Sequence, residues 1–232
     1  MTKQSVSDKT PALAILFDLD GTLMDSNYQH VVAWQEAFRS KGLEIPNARI
    51  HRCVGMSGRL MLRSLLTQLG QNIGSRKIEQ LEDIHKRNFE KRLSSVRMLP
   101  GARELLRDLS HRGVKWAVAT GGDRETVERM IKPLRIPAPT PVITADHVNE
   151  AKPDPDVFLM AARRLNIDLK DCIVVGDSVW DILGSRRAKA LGVGLLCGGY
   201  GAAELERAGA YRVYKDPADF HEHLAEVGIQ LD

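Results

Sequence analysis

The first apolar run of the chain is short and ends in acidic residues. Residues 13–17 are all apolar, and Asp18 follows them directly. A run of this length that stops at a polar loop is typical of a buried strand. We therefore predict the first strand here, with a loop that begins at Asp18.

The pattern changes to helical periodicity from Tyr28 to about Leu93. Gly42, Pro46 and Gly70 divide this stretch into amphipathic segments. The apolar stripes consist of Val31, Val32, Ala33, Ala37 and Phe38, of Leu60, Leu62, Leu65, Leu66 and Leu69, and of Ile78, Leu81, Ile84 and Phe89. Because the stretch contains no convincing strand, we predict an all-helical insert directly after the first strand.

Helices and strands alternate after Pro100 and Gly101. We predict strands at 115–119, 141–144, 172–175, 193–196 and 211–213, and helices that begin near Arg124, Asp156, Trp180, Ala202 and Ala218. Nearly continuous apolar strands that alternate with helices imply an α/β fold, with a parallel sheet covered on both faces. Ligands of such a sheet bind beyond the carboxyl ends of its strands.

The composition is that of an ordinary globular protein. Hydrophobic residues make up 43% and charged residues 27% of the 232 positions, so a substantial core needs neither disulfides nor structural metals. The 33 basic and 30 acidic residues leave a net charge of +3 and form no basic stripe. Nucleic acid is therefore not an expected partner.

Cysteine usage and the lack of long apolar runs indicate a cytoplasmic protein. Cys53, Cys172 and Cys197 are an odd, widely spaced set, which we interpret as reduced and mostly buried thiols. The first eleven residues lack the apolar region of a signal peptide, and no apolar run approaches the roughly 18 residues that span a bilayer. We expect no membrane partner, and the sequence leaves the oligomeric state open.

Two carboxylates stand one residue apart at the end of the first strand. Asp18 and Asp20 would repel each other, so one would titrate high unless a cation lay between them. Acidic residues often open loops, which would explain either aspartate alone. That explanation accounts poorly for Gly21, which lets a ligand approach the backbone closely, and for Thr22, which can orient a neighbouring carboxylate.

A hydroxyl, free amides and a lysine follow later strands. Thr120, Gly121 and Gly122 close one strand before a helix, where a hydroxyl and exposed amides can bind an anion. A plain Gly-Gly turn would explain them equally well. Lys152 lies in a loop before another helix, and a solvated loop lysine is its usual explanation.

Two further carboxylates follow the strand predicted at 172–175. Asp177 comes at its end, and Asp181 lies four residues on, one turn into the next helix. Helix capping by Asp177 or Ser178 would also explain this arrangement. Each of these groups is ambiguous when it is taken alone.

Taken together, these groups surround a single crevice at the carboxyl edge of the sheet. Carboxylates with oxygen-only partners suit Mg²⁺, which completes its coordination with water and phosphate. A cation balanced against Asp18, Asp20 and Asp177 would remove their repulsion, while a lysine and amides receive the phosphate. The sequence therefore predicts Mg²⁺-dependent phosphoryl transfer with a carboxylate nucleophile, acting on a small phosphorylated metabolite.

Four segments resemble the four motifs of the haloacid dehalogenase superfamily. They are FDLDGT, VATGG, KPDPDVF and VGDSVWDI, in the family's order. The helical insert is similar to the cap of the branch that contains β-phosphoglucomutase and phosphoglycolate phosphatase. The resemblance implies a doubly wound, Rossmann-like core at 12–25 and 96–232, with a small all-helical cap domain at 26–95.

The resemblance also implies roles for individual residues. Asp18 would attack phosphorus to form an aspartyl-phosphate, and Asp20 would protonate the leaving oxygen and later activate water. Mg²⁺ would be held by the Asp18 carboxylate, the Asp20 main-chain carbonyl and Asp177, with Asp181 in or near its coordination shell. The phosphoryl oxygens would be bound by Thr120, Gly121, Gly122 and Lys152. The presence of Asp20 argues against the dehalogenase reaction.

The cap is expected to select the substrate, because the core contacts only phosphate. His30 lies where β-phosphoglucomutases carry a histidine, although packing between helices explains it equally well. Arg59 has two interpretations: it binds a second anionic group of the substrate, or it is a surface arginine at the start of a helix. We interpret His51 and Arg52 as surface residues of low functional weight. Expected core residues are Trp34, Met56, Met61, Leu62 and Trp116.

Two alternatives to a phosphatase stay open. A sugar-phosphate mutase of the β-phosphoglucomutase type would carry cap cations around Gly55, where this chain has Val54 and Gly58. A more remote alternative is an inactive module that binds a phosphorylated ligand, which the intact acid, lysine and metal residues disfavour. The sequence therefore favours a phosphoric monoester hydrolase.

Overall fold

A parallel sheet forms the centre of the protein. The computed structural model describes residues 13–70, 74–148 and 152–229. Within these ranges the strands are β1 (Ala14–Phe17), β2 (Met24–Asp25), β3 (Arg97–Met98), β4 (Lys115–Ala119), β5 (Val142–Ile143), β6 (Cys172–Gly176), β7 (Leu191–Leu195) and β8 (Arg212–Tyr214). Six of them form one sheet in the order β5-β4-β1-β6-β7-β8, and all neighbours in it are parallel. The predicted fold class is confirmed.

Helices cover both faces of this sheet. The described α-helices are α1 (Asn27–Arg39), α2 (Asn47–His51), α3 (Gly58–Gln68), α4 (Ser75–Glu90), α5 (Ala102–His111), α6 (Arg124–Met130), α7 (Asp156–Leu165), α8 (Val179–Arg187), α9 (Ala202–Ala208) and α10 (Pro217–Glu222). Successive residues of β1 point to opposite faces. Ile15 and Phe17 pack with α5 and α10, whereas Leu16 packs with α7.

Helices α1 to α4 form the insert, which has its own hydrophobic cluster. Trp34, Phe38 and Leu62 are buried in that cluster. The chain enters and leaves the insert through the antiparallel strands β2 and β3, which were too short to predict from periodicity. The predicted domain boundaries at 25/26 and 95/96 lie beside this ribbon, and the outer limits at 12 and 232 lie outside the described residues.

Strand β7 begins two residues earlier than predicted, at Leu191. Its apolar run is interrupted by Gly192 and Gly194, at which helices approach the sheet. A Cβ at Gly192 would lie 2.5 Å from Ser185 Oγ, and one at Gly194 would lie 2.9 Å from Leu205 Cδ1. These glycines therefore permit close packing of α8 and α9, and they conceal the strand from a hydrophobicity pattern.

The expectations about burial hold in part. Trp34, Met61 and Leu62 are buried, but Met56 is only partly buried, and Val32, Leu60 and Leu69 of the predicted apolar stripes are exposed. Trp116 is buried, and Cys53, Cys172 and Cys197 are free thiols, the first two buried. No helix in the described ranges is both long enough and apolar enough to cross a bilayer.

Candidate active site

Three aspartates and one lysine converge beyond the carboxyl ends of β1 and β6. These strands are hydrogen-bonded neighbours, so the residues that follow them are close together. Asp18 follows β1, Asp177 follows β6, and Asp181 lies in the first turn of α8. Their carboxylate oxygens lie within 4.8 Å of one another, and all three residues are buried. Lys152 Nζ contacts Asp18 Oδ1 and lies 2.8 Å from Asp181 Oδ1.

The charges of this cluster do not balance. Burial raises the pKa of Asp18 well above its ordinary value, and Asp181 adds to the rise, while Lys152 opposes it. Burial and the neighbouring Asp181 raise the pKa of Asp177 to about 7. Burial by itself would lower the pKa of Lys152, but Asp18 and Asp181 raise it, so the ammonium stays charged. One lysine cannot offset three carboxylates, and a divalent cation would remove the excess.

Neighbouring side chains fix the orientation of these carboxylates. Asp177 accepts hydrogen bonds from Thr22 Oγ1 at 3.1 Å and from Asn27 Nδ2 at 2.8 Å. Asp181 accepts one from Ser178 Oγ at 2.5 Å, and Ser178 also caps α8, as one of the sequence interpretations expected. The available ligand atoms are all oxygens, which is the donor set that Mg²⁺ prefers. The residues present therefore fit Mg²⁺.

Gly21 and Gly198 lack the side chains that would clash with the Asp177 carboxylate. Gly21 has a φ of +76°, and a Cβ on it would lie 2.5 Å from Asp177 Oδ2 and 2.3 Å from Asn27 Nδ2. A Cβ on Gly198 would lie only 1.7 Å from Asp177 Oδ2. Gly21 is predicted to let a ligand approach the backbone closely, and in the structure the atoms close to it belong to the side chains of Asn27 and Asp177.

Asp20 has different partners from the three clustered aspartates. Its Oδ1 accepts hydrogen bonds from Ser26 Oγ at 2.5 Å and from His30 Nε2 at 3.1 Å, and its Oδ2 accepts one from Thr120 Oγ1 at 3.4 Å. Burial would raise the pKa of Asp20, but His30 and Ser26 outweigh burial and lower it. The carboxylate is thus held ionised, beside the cluster and outside it.

His30 packs between helices and also contacts a carboxylate of the site. Its ring stacks on Phe89 with centroids 3.7 Å apart, which is packing between α1 and α4. The same ring bonds to Asp20 and, through Nδ1, to His85 Nε2 at 3.0 Å. Burial, together with His30, lowers the pKa of His85 well below its ordinary value.

The group predicted to bind phosphate lies at the adjacent strand end. Thr120 Oγ1 accepts a hydrogen bond from Gly122 N at 3.1 Å. Gly121 is exposed, and the structure gives its N–H no acceptor among the described residues. A free amide, a hydroxyl and the Lys152 ammonium therefore adjoin the same space.

A cavity of about 320 Å³ lies between the sheet edge and the insert. Its core side is lined by Asp18, Asp20, Thr120, Gly121, Gly122, Asp123 and Lys152. Its insert side includes His30, Trp34, Val54, Met56, Gly58, Met61, Glu82, His85, Lys86 and Phe89. Arg59 is exposed and does not line the cavity, so the structure does not bring it to the other candidate residues.

Sequence comparison identifies the family to which this architecture belongs. The family model described as haloacid dehalogenase-like hydrolase matches residues 15–194. Hexitol phosphatase A of Escherichia coli is 33% identical over 175 residues, which cover 75% of this chain and 78% of that protein. The chain belongs to the haloacid dehalogenase-like hydrolase family.

Other relatives agree with this haloacid dehalogenase-like assignment. A hydrolase from Pseudomonas syringae with a known crystal structure is 45% identical and superposes with a TM-score of 0.90, covering 93% of this chain and 99% of that one. β-Phosphoglucomutase of Bacillus subtilis is 26% identical over 188 residues, 78% of this chain and 82% of that protein. The predicted family and enzyme class, a hydrolase with phosphatase relatives, are confirmed.

Two residues of this hydrolase join the insert to the core, although we interpreted them as surface residues of low functional weight. His51 Nε2 lies 2.9 Å from Gly198 O. The Arg52 guanidinium pairs with Glu204 and lies 4.5 Å from the centre of the Tyr200 ring. Arg52 is exposed, as expected, but both residues bridge the two parts of the chain.

Sequence reasoning missed the side chains that orient the aspartates and the polar groups of the insert. They are Ser26, Asn27, Glu82, His85 and Lys86. Single polar residues on helices are common, and only the folded chain brings these to the site. The Asp-Ser-x-x-Asp spacing was the one available signal, and it identified Ser178 as a helix cap.

Proposed function

We propose that this hydrolase cleaves small phosphomonoesters through an aspartyl-phosphate on Asp18. The observation that carries the proposal is the buried cluster of Asp18, Asp177, Asp181 and Lys152 at the cavity. The three aspartates would hold Mg²⁺, with the Asp20 main-chain carbonyl as a further ligand. When bound, Mg²⁺ supplies positive charge next to the phosphoryl oxygens.

Asp18 and Asp20 carry out different steps of the reaction. Asp18 attacks phosphorus, so that an Asp18 O–P bond forms while the bond to the leaving oxygen breaks. Because the pKa of Asp20 is lowered, its carboxylate must bind a proton before this step. Asp20 then gives that proton to the leaving oxygen, and as a carboxylate it takes one from the water that hydrolyses the aspartyl-phosphate. The bonds from Ser26 and His30 to Asp20 support this role, because they hold its carboxylate at a fixed place.

The phosphoryl group would be received by Thr120, Gly121 and Lys152, with Gly122 beside them. The free N–H of Gly121 and the charged Lys152 support this assignment, because donors that are already in place stabilise a developing negative charge without rearrangement. Lys152 also draws Asp18 Oδ1 towards Asp181 and so fixes the nucleophile.

A sugar-phosphate mutase is the second candidate function. The bond between His30 and Asp20 and the relationship to β-phosphoglucomutase favour it. Both reactions share the first phosphoryl transfer and differ in whether water or a sugar hydroxyl removes the phosphoryl group from Asp18.

The test of the covalent step is Asp18→Asn. An amide is nearly isosteric but cannot attack phosphorus, so we expect turnover of p-nitrophenyl phosphate with Mg²⁺ to fall below roughly a hundredth of the wild-type rate. Asp25→Asn is the matched control, because Asp25 is exposed on β2 and outside the cavity. A folded Asp18→Asn protein that kept a tenth or more of the activity would exclude Asp18 as the nucleophile.

A further inference from the structure

Glu82 is a carboxylate of the insert without a partner. It lies on α4, is half-buried and lines the cavity opposite the strand ends. Among the described residues it has neither a hydrogen bond nor an ion pair. Burial raises its pKa, and the charge of the exposed Arg59 partly offsets that rise. A half-buried acceptor that the protein does not satisfy is available to a ligand.

The surroundings of Glu82 keep it open to the cavity. Glu82 Oε1 lies 3.0 Å from the position that a Cβ on Gly58 would occupy, and Trp34 Cζ2 lies 3.6 Å from the same position. Gly58 therefore leaves no side chain between the carboxylate and the cavity. Glu82 and the edge of the Trp34 indole stand side by side on the insert wall.

The cationic side chains of the cavity are already paired. Within the described ranges its lining contains two lysines and no arginine. Lys152 is bound to Asp18 and Asp181, and Lys86 lies 3.0 Å from Asp123 Oδ1. A second anionic group on a substrate would find no free cation on the insert wall and would face Glu82.

We propose that Glu82 selects phosphomonoesters with an uncharged, hydroxyl-bearing leaving group. A hydroxyl of the leaving group donates to the Glu82 carboxylate, and its C–H surface contacts the apolar wall of Trp34, Met61 and Phe89. A leaving group that carries a carboxylate is rejected by repulsion from Glu82. This inference rests on the phosphomonoester hydrolysis proposed above.

The experiment compares three probes with Mg²⁺: D-glucitol 6-phosphate, phosphoglycolate and p-nitrophenyl phosphate. We expect the wild-type protein to prefer D-glucitol 6-phosphate to phosphoglycolate. Glu82→Ala should lower kcat/KM for D-glucitol 6-phosphate, relative to p-nitrophenyl phosphate, by roughly 10- to 100-fold. Glu82→Gln, which keeps an acceptor but removes the charge, should raise kcat/KM for phosphoglycolate relative to D-glucitol 6-phosphate.

Glu79→Ala is the matched control, since Glu79 is exposed on the same helix and does not line the cavity. It should leave all three kcat/KM values as they are. One outcome is that Glu82→Ala hydrolyses p-nitrophenyl phosphate with an unchanged ratio of the kcat/KM values for D-glucitol 6-phosphate and p-nitrophenyl phosphate. That result would overturn the role of Glu82 but not the proposed function. A higher kcat/KM of the wild-type protein for phosphoglycolate than for D-glucitol 6-phosphate would also overturn the role of Glu82 and would leave the proposed function unaffected. Failure of the folded wild-type protein to hydrolyse any of the three would overturn both.

Discussion

Asp18, Asp20 and Asp177 are the same residue type, but the folded protein gives each a different environment. Asp18 is bound by Lys152, whereas Asp177 accepts hydrogen bonds from neutral side chains alone, and Asp20 is paired with His30. The pKa of Asp20 is lowered, and those of Asp18 and Asp177 are raised, by burial first of all. Asp20 therefore favours its carboxylate form, in which it can take a proton from water, while a cation would stabilise the buried charges of Asp18 and Asp177.

The raised pKa of Asp177 gives a pH-dependent prediction for the protein without metal. A carboxyl group whose pKa is about 7 in the folded state and near 3.8 when unfolded favours folding below the lower value and opposes it as the pH rises towards 7. Asp177→Asn cannot titrate, so its stability relative to the wild type should increase as the pH rises. This relative stability should be larger at about pH 8 than at about pH 5 by roughly 1–3 kcal/mol.

Urea unfolding in the presence of a chelator measures this difference. Added Mg²⁺ should stabilise the wild-type protein by mass action and stabilise Asp177→Asn much less. Asp25→Asn serves again as the exposed control and should show neither effect. If the free energies of unfolding of Asp177→Asn and the wild type differed by the same amount at both pH values, the pKa of the Asp177 carboxyl would not be raised.

At the scale of elements, the residues that follow α2 connect the insert to the core. The Arg52 carbonyl accepts hydrogen bonds from Trp180 Nε1 at 3.0 Å and from Tyr200 OH at 2.8 Å, while its side chain binds Glu204. The same loop brings Gly55 against Ser178, where a Cβ would lie 2.7 Å from Ser178 Oγ. The arrangement is that of an insert closed over the cavity.

Loss of the Arg52 side chain should weaken this closed arrangement. Arg52→Ala removes an ion pair and a contact with the Tyr200 ring, and we expect KM to rise roughly 3- to 10-fold with little change in kcat. Arg49→Ala is the control, because Arg49 is exposed on the same helix and forms no ion pair among the described residues. Steady-state kinetics with p-nitrophenyl phosphate measure both. An equal KM in the two variants would remove this role from Arg52.

The strands and the carboxyl-edge site were predictable because their signals are local. Most buried strands are continuous apolar runs, and three polar groups of the core, Asp18, Thr120 and Asp177, come directly after such a run. The insert side of the cavity could not be predicted in this way. Glu82 and His85 are spaced like any polar residues on an amphipathic helix, and their position depends on how α4 packs against α1.

At the scale of the whole molecule, two groups of ion pairs hold the insert over the sheet edge. Lys86 of α4 bonds to Asp123 and Glu125, and Arg52 pairs with Glu204. We expect these contacts to limit the entry of bulk water during the first phosphoryl transfer, and opening would admit the water needed for the second. The protein thus has a route to hydrolysis that does not require a second phosphate site.

Among the described residues, no unpaired lysine or arginine lines the insert side of the cavity, which favours hydrolysis over the mutase reaction. A mutase must hold a bisphosphorylated intermediate, whose second phosphate needs a cationic partner. Val54 and Gly58 line the cavity where β-phosphoglucomutases carry cations, and Arg59 is exposed outside it. We therefore expect phosphorus NMR with β-glucose 1-phosphate and a trace of the bisphosphate to show free phosphate as the main product. The Val54→Lys variant should shift the products towards glucose 6-phosphate, because it restores one cation. If the wild-type protein formed glucose 6-phosphate faster than free phosphate, it would be a mutase. Asp20, bonded to His30, would then take a proton from a sugar hydroxyl and not from water.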